Sequence, residues 1–175
     1  MSLKSTHDRY GKVAVTIHWL SALAIVALLG SGIRADGATE AAAKIPFLRV
    51  HVALGITILV LTLCRIGWWW RADRKPTPLS MPALQGFVSR AVHVLFYIVI
   101  LGMAASGIGL LVLSGAGAII YGGDASLLPD FWDYPPRTPH GIGAKIIIAL
   151  FVLHAGAALF HQFVVKDGLL KRMWL

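Results

Sequence analysis

Charged residues and cysteines are scarce in this chain. Only 14% of its 175 residues are charged, whereas a typical soluble domain carries about a quarter. The one cysteine, Cys64, cannot form a disulfide within the chain. None of the eight acidic residues lies in a long apolar run, so the carboxylates that commonly line intramembrane proton and ion relays are lacking. The composition argues against a soluble globular domain.

Apolar sequence dominates instead, at 57% of the residues. It is concentrated in four runs, which predict membrane spans at about residues 11–33, 48–70, 87–113 and 140–165. Each run has about the 20 residues with which a helix crosses the hydrocarbon core. None alternates polar and apolar residues as a barrel strand does. The sequence therefore predicts an all-α fold, a single four-helix bundle in the lipid bilayer over residues 1–175.

Basic residues are distributed unevenly between the two sides of such a bundle. Eleven Lys and Arg residues fall on the side of the termini and the 71–86 loop, against five on the other side. The positive-inside rule then places both termini in the cytoplasm. Topology accounts for the net charge of +8, so no nucleic-acid partner is predicted. The 114–139 connection is rich in glycine and proline but contains large apolar residues, and we expect it to fold back on the helix ends.

Six of the seven histidines lie in the apolar runs or at their ends. An ionisable residue inside a membrane is costly and therefore suggests a functional site. On the fourth run, His140 and His154 are fourteen residues apart. Helical geometry puts them on nearly one face, about 21 Å apart along the axis. His161 extends the same stripe toward the cytoplasm.

The other histidines match these positions in depth. His51 and His140 lie at the predicted outer boundary, whereas His18 and His154 lie toward the cytoplasm. Two histidines that face each other across a bundle are what bis-histidine ligation of a b-type haem requires. We therefore expect two haems, stacked about 20 Å apart across the bilayer. A histidine-lined metal or proton transporter, or simple packing of the histidines, is the alternative.

The residues alone leave the inner pair open. By depth, His161 or His93 matches His18 at least as well as His154 does. Ligands at His140 and His161, however, would separate the two irons by about 31 Å, which is too far for fast electron transfer. His154 fits better if the first helix begins near residue 10.

Several segments resemble the bacterial cytochrome b561 family. They are TIHWL in the first run, HVALGITILVLTLCR in the second, His93 with Tyr97 in the third, and HG…H……H…KD in the fourth. The likeness covers about residues 9–172, and the same core is similar to the cytochrome b subunits of nickel–iron hydrogenase and formate dehydrogenase. The resemblance implies a multi-pass protein of the bacterial inner membrane.

The resemblance also implies the ligands and the activity. It pairs His51 with His140 as iron ligands of an outer haem, and His18 with His154 as iron ligands of an inner haem. The best-studied branch of the family oxidises periplasmic superoxide to oxygen and reduces ubiquinone, so we expect a di-haem oxidoreductase of this kind. The alternative is an anchor subunit that passes electrons between a hydrogenase-type or dehydrogenase-type partner and quinone. A protein partner is compatible with the sequence but not required by it.

Three basic residues are candidates for steering superoxide. Lys44 and Arg49 flank the outer histidine of the second run, and Arg137 precedes that of the fourth. A focused positive field raises the encounter rate of a small anion. Ordinary interfacial basic residues would have the same positions.

Two further residues are predicted to contact the haems. Arg65 is fourteen residues after His51, and its charge suits a haem propionate, although it could equally extend to the membrane interface. Gly55 lies one turn from His51, where a side chain would collide with a porphyrin. Gly107 and Gly109 have the same interpretation, with close helix packing as the alternative.

The quinone pocket is predicted near the cytoplasmic end of the fourth run. A quinone carbonyl needs a hydrogen-bond donor and a source of protons, and His161 can supply both. His93 is the competing candidate, and Trp19, next to His18, either lines the pocket or packs against lipid.

Overall fold

The computed structural model describes residues 2–174, which form helices and connecting segments without a strand. Four long helices run through the molecule, and one short helix lies between the last two of them. In chain order they are α1 (Lys12–Gly37), α2 (Ala41–Gly67), α3 (Ala83–Ser114), α4 (Ala116–Ile120) and α5 (Arg137–Phe160). The helices α2 and α5 each continue into one wider turn, Trp68–Ala72 and His161–Val165. The predicted all-α four-helix membrane fold is confirmed.

All four long helices are suited to a bilayer. Their most apolar windows have mean hydropathies between 2.1 and 2.3, and many of their large apolar side chains point outward, such as Leu23, Val112 and Val152. In water such a surface would aggregate, whereas in lipid it is solvated. The helices extend beyond the predicted spans at most ends. The second begins at Ala41 rather than near residue 48, because the Ala-rich segment before the apolar run strongly favours helix.

The bundle consists of two hairpins. Helix α1 packs chiefly against α2, and α3 packs chiefly against α5, while α2 also contacts α3. Ile25, Ile58 and Ile147, from three different helices, form the buried centre. This centre is small, because much of each helix faces lipid and the histidines occupy the interior above and below it.

The 115–136 connection folds back onto the bundle, as expected. Gly115 has a φ of 66°, a left-handed conformation that lets the chain reverse from α3 into α4. Ile120 and Ala116 are then buried against Ile45 at the start of α2, with Phe131 packed beside them. The connection thus covers the end of the bundle that contains His51 and His140.

At the opposite end, Asp73 ties the N-terminal arm to the α2–α3 linker. Its carboxylate accepts hydrogen bonds from the Ser5 N–H at 3.0 Å, the Ser5 hydroxyl at 2.8 Å and the Trp68 indole N–H at 3.2 Å. Arg172 of the C-terminal tail donates to the backbone oxygens of Asp8 and Thr77, both at 2.7 Å. The arm, the linker and the tail therefore form one layer across this end.

We expect Asp73→Ala to destabilise this layer by about 1 kcal/mol, because several hydrogen bonds to a charged group are lost. Partial burial raises the pKa of Asp73, but the Ser5 donors and the Trp68 N–H outweigh it and hold that pKa below its usual 3.8. The stabilisation is therefore complete above pH 3.8 and is lost as the pH falls through the lower, folded-state pKa. Thermal unfolding in detergent at neutral and acidic pH measures both effects.

Asp8→Ala is the matched control for this prediction. It also removes one carboxylate from the N-terminal arm, but the Asp8 side chain bonds only the adjacent, exposed His7. We expect the control to unfold like the wild type. Equal losses in both variants, or a loss in Asp73→Ala that persists at acidic pH, would contradict the assigned role.

Candidate functional site

His51 on α2 and His140 on α5 face each other near the covered end of the bundle. Their ring centroids are 6.0 Å apart. When one nitrogen of each ring binds the same metal ion at about 2 Å, the two ring centres are about 6 Å apart. We call His51 and His140 the outer pair, after the orientation that the charge pattern predicts.

The hydrogen bonds of the outer pair leave the same nitrogen of each ring available. His51 donates its Nδ1–H to the Leu28 backbone oxygen at 3.1 Å. His140 donates its Nδ1–H to Ser106 Oγ at 3.0 Å, and the Ser106 hydroxyl in turn donates to the Met103 backbone oxygen. With Nδ1 protonated, Nε2 carries the lone pair that binds a metal, which is the usual arrangement of a histidine ligand and its supporting acceptor.

Two glycines let the neighbouring helices approach the outer pair. A Cβ added at Gly32 would lie 3.0 Å from Cε1 of His51, and one at Gly107 would lie 3.3 Å from Cε1 of His140. Gly55, by contrast, has Leu28 as its nearest neighbour at 3.9 Å, and Gly109 lies against Pro136. Of these, Gly32 was missed at the sequence level.

The signal for these contacts is present in the sequence as a repeated Ser-Gly pair. Residues 28–33 read LLGSGI, and residues 103–108 read MAASGI. In each copy the serine donates to the backbone oxygen three residues earlier, and the glycine lies against an outer-pair ring.

Three histidines lie together at the other level. His18 on α1 and His154 on α5 have ring centroids 6.0 Å apart, the separation of the outer pair, and we call them the inner pair. His93 on α3 lies 5.2 Å from His154, and it donates its Nδ1–H to the Ser89 backbone oxygen at 2.6 Å. His161 belongs to a separate site.

The chain matches a known family over nearly its whole length. A family model described as prokaryotic cytochrome b561 matches residues 9–175. The chain belongs to the prokaryotic cytochrome b561 family. It is therefore an oxidoreductase of membrane electron transfer with a b-type haem, and a multi-pass protein of the bacterial inner membrane.

Individual relatives agree with this assignment. The chain is 27% identical to cytochrome b561 homolog 2 of Escherichia coli, over 99% of this chain and 95% of that protein. It is 29% identical to the probable superoxide oxidase CybB of Yersinia pestis, over 95% of this chain and 96% of that protein. It is also 33% identical to cytochrome b562 of Cereibacter sphaeroides, over 71% of this chain and 65% of that protein.

The outer pair fits the b-type haem of the cytochrome b561 family. Its two rings have the separation that a shared metal requires, and both have acceptors at Nδ1. The inner pair has the same ring separation. Each pair could supply two histidine nitrogens to a haem iron, and haem held by two histidines serves electron transfer.

His161 is buried in the wide turn that follows α5. Its Nδ1–H donates to Asp167 Oδ2 at 2.5 Å, and its Nε2 accepts from the Gln85 amide at 2.8 Å. Lys166 and Gly168 both have positive φ, 58° and 76°, and this reversal returns Asp167 to the ring.

The Asp167 carboxylate is ionised at neutral pH. Partial burial raises its pKa, but the hydrogen bonds from His161 and from the Leu169 N–H outweigh burial and lower that pKa overall. Asp167 therefore acts as an acceptor only, which fixes the proton of neutral His161 on Nδ1.

A groove of about 460 Å³ opens beside His161. Gln85 and His161 provide its polar edge, and the rest of the lining comes from apolar or small residues of α5, namely Val152, Leu153, Gly156, Ala157 and Phe160. This groove has the composition of a site for an apolar molecule with a polar head.

The three candidate steering residues have different partners. Arg137 forms an ion pair with Asp36 of α1 at 2.6 Å, and its guanidinium lies 4.3 Å from the centre of the Trp132 ring. Arg49 donates from Nε to the Ile120 backbone oxygen at 2.6 Å, and Lys44 is half-buried near the start of α2. Asp36 is a counter-charge that sequence analysis did not anticipate.

The remaining predicted residues lie around the inner pair. Arg65 is close enough to interact electrostatically with His18, His93 and His154. Trp19 packs edge-on against His18 at 5.5 Å, and its indole N–H donates to the Met173 backbone oxygen at 2.7 Å. The contacts of Trp19 are thus to the inner pair and the C-terminal tail.

Proposed function

We propose that this chain oxidises superoxide on the outer side of the membrane and reduces ubiquinone on the inner side. His51 and His140 bind the outer haem, His18 and His154 bind the inner one, and both termini lie in the cytoplasm. The observation that carries the proposal is the equal 6.0 Å separation of the two pairs, with an apolar groove and a hydrogen-bonded histidine beyond the inner pair. Haem b supplies reversible one-electron transfer at each pair.

The stoichiometry of the reaction is fixed by its substrates. Two superoxide anions each give up one electron and become oxygen, and one quinone takes up two electrons and two protons to become a quinol. His51 and His140 would hold the outer haem and leave no open iron position, so superoxide would give up its electron without binding iron. The name of the Yersinia pestis relative supports superoxide as the donor.

Ubiquinone suits the groove beside His161. Its apolar tail would lie along the α5 side chains toward lipid, while its head group reaches Gln85 and His161. The groove includes residues that flank His154, and His161 is seven residues further, or about 10 Å along the helix axis. This distance is suitable for electron transfer from the inner pair.

Gln85 and Asp167 prepare His161 for proton transfer. Asp167 holds Nδ1–H, so a proton would be exchanged at Nε2, where the quinone oxygen takes the place of the Gln85 amide. Gln85 can donate its NH₂ group to neutral Nε2 or, after rotation of its amide, accept from Nε2–H with its oxygen. The site thus accommodates both protonation states of the ring. His93 is the other candidate for contact with the quinone.

The direct test is stopped-flow mixing of the purified protein with superoxide, followed by addition of a short-chain ubiquinone. We expect rapid haem reduction in the first step and reoxidation in the second. Absence of reduction by superoxide, together with copurification of large soluble subunits, would instead support the anchor-subunit alternative.

Asp36 offers a test of electrostatic steering by Lys44, Arg49 and Arg137. Its carboxylate neutralises Arg137, so we expect Asp36→Asn to speed haem reduction by superoxide about two- to fivefold at low ionic strength. The gain should shrink as salt is added, because screening removes long-range attraction. Initial rates at several salt concentrations measure both effects.

Glu40→Gln is the matched control for Asp36→Asn. Glu40 is an exposed residue on the same side of the bundle, so this variant removes the same charge without releasing Arg137. It should give a clearly smaller gain. Equal rates in the two variants would show that only net charge matters, and unchanged rates in both would contradict steering.

A further inference from the structure

Helices α1 and α3 carry the same pattern of functional residues. His18 on α1 and His93 on α3 are each followed, thirteen residues later, by a serine, Ser31 and Ser106. Each serine lies against Nδ1 of an outer-pair histidine, at 3.4 Å for Ser31 and 3.0 Å for Ser106. The two helices therefore perform equivalent tasks in the two hairpins.

Helices α2 and α5 repeat in the same way. Each contributes one histidine to the outer pair, His51 or His140, and fourteen residues later each has a second polar residue. On α5 this residue is His154, whereas on α2 it is Arg65. Arg65 thus occupies in the first hairpin the position of an inner-pair ligand in the second.

These spacings define a pseudo-two-fold relation between the two hairpins, in which α1 corresponds to α3 and α2 to α5. The outer pair maps onto itself, and the inner pair, His18 with His154, maps onto His93 with Arg65. The inner level therefore has two equivalent positions, of which the second cannot ligate iron because a guanidinium is always protonated. Its chemistry is that of a cation.

Arg65 also lacks a counter-charge of its own. Within residues 2–174, Arg65 takes part neither in the close contacts between basic and acidic side chains nor in the side-chain hydrogen bonds. A guanidinium within a membrane span needs an anionic partner. For a half-buried arginine near the end of α2, a bound molecule or a lipid phosphate can supply that anion.

We propose that Arg65, at the level of the inner pair, binds a propionate carboxylate of the inner haem and so determines at which of the two equivalent inner positions that haem lies. This inference rests on the two-haem assignment of the proposed function. A guanidinium matches a carboxylate through paired N–H donors. The positive charge of Arg65 also favours the reduced haem, which has one positive charge fewer than the oxidised haem.

The test is an optical redox titration of the purified, haem-loaded protein. In Arg65→Gln we expect a lower midpoint potential for the inner haem and no change for the outer one, and Arg65→Lys should retain part of the wild-type value. Arg71→Gln is the matched control, because Arg71 lies six residues further along and its guanidinium stacks 4.8 Å from the Trp70 ring centre. It should leave both potentials unchanged.

The outcomes separate the inference from the function on which it rests. Two haems with unchanged potentials in Arg65→Gln would overturn the inference and assign Arg65 to lipid phosphates. Selective loss of the inner haem in Arg65→Gln, with its retention in Arg65→Lys, would support the inference, whereas loss of both haems in both variants would make Arg65 a folding residue and contradict it. A single haem in the wild-type protein would refute the two-haem assignment itself.

Discussion

Replacing His140 by alanine is expected to remove the outer haem and leave the inner one in place. The variant would lose one of the two proposed ligands of a haem that no covalent bond retains, since a chain with Cys64 as its one cysteine cannot contain the C-x-x-C-H motif of covalent haem attachment. The inner pair lies about 21 Å away along α5 and keeps both of its histidines. The haem content, measured after extraction, should therefore fall from two haems per chain to one.

The spectrum identifies which haem remains. The reduced-minus-oxidised spectrum should lose the component that superoxide reduces first, and His51→Ala should give the same result, because it removes the opposite ligand. His7→Ala is the control, since His7 is exposed and bonds only the adjacent Asp8. Retention of two haems in His140→Ala would contradict the ligand assignment, and loss of both would show that the two sites do not fold independently.

Hydropathy and histidine spacing were sufficient to predict the fold. In a bilayer every spanning segment must be apolar and must satisfy its own backbone hydrogen bonds, so four apolar runs leave few alternatives to four helices. Depth along a helix follows from counting residues at about 1.5 Å each, which is why His51 and His140 could be matched before their rings were seen to face each other.

The contacts between different helices could not be predicted, because they depend on how the two hairpins pack against each other. The Nδ1 acceptors of the outer pair come from α1 and α3, not from the helices that carry the histidines. Likewise, the ion pair between Arg137 and Asp36 joins residues 101 positions apart in sequence. Such contacts depend on the rotation of one helix against another, and spacing within a single helix contains no information about that rotation.

The inner level illustrates the same limit. Counting depth along the helices left His93 and His161 as alternatives to His154 in the inner pair. The structure places only His161 away from that pair. His161 points to Gln85 and Asp167, because the chain reverses at Lys166 with a positive φ that a non-glycine residue rarely adopts. The ring centres of His93 and His154 are only 5.2 Å apart, so depth does not distinguish the two residues. The pseudo-two-fold relation, which matches His93 with His18, does.

His161→Ala is expected to separate the two halves of the reaction. Both haems and their reduction by superoxide should be retained, because His161 lies outside both pairs. Reoxidation by added ubiquinone should slow by at least about tenfold, since the quinone loses a hydrogen-bonding partner and a proton donor together. Single-turnover stopped-flow traces, with superoxide added first and quinone second, measure the two rates in one sample.

Phe163→Ala is the matched control, because Phe163 lies in the same wide turn but is exposed and does not line the groove. It should reoxidise at the wild-type rate, and a slow control would mean that any disturbance of the turn suffices. If His161→Ala loses a haem, His161 is an iron ligand and the pairing of His18 with His154 is wrong. If quinone reoxidises His161→Ala normally while the haems are retained, the quinone site lies elsewhere, and His93, beside the inner pair, becomes the residue to replace.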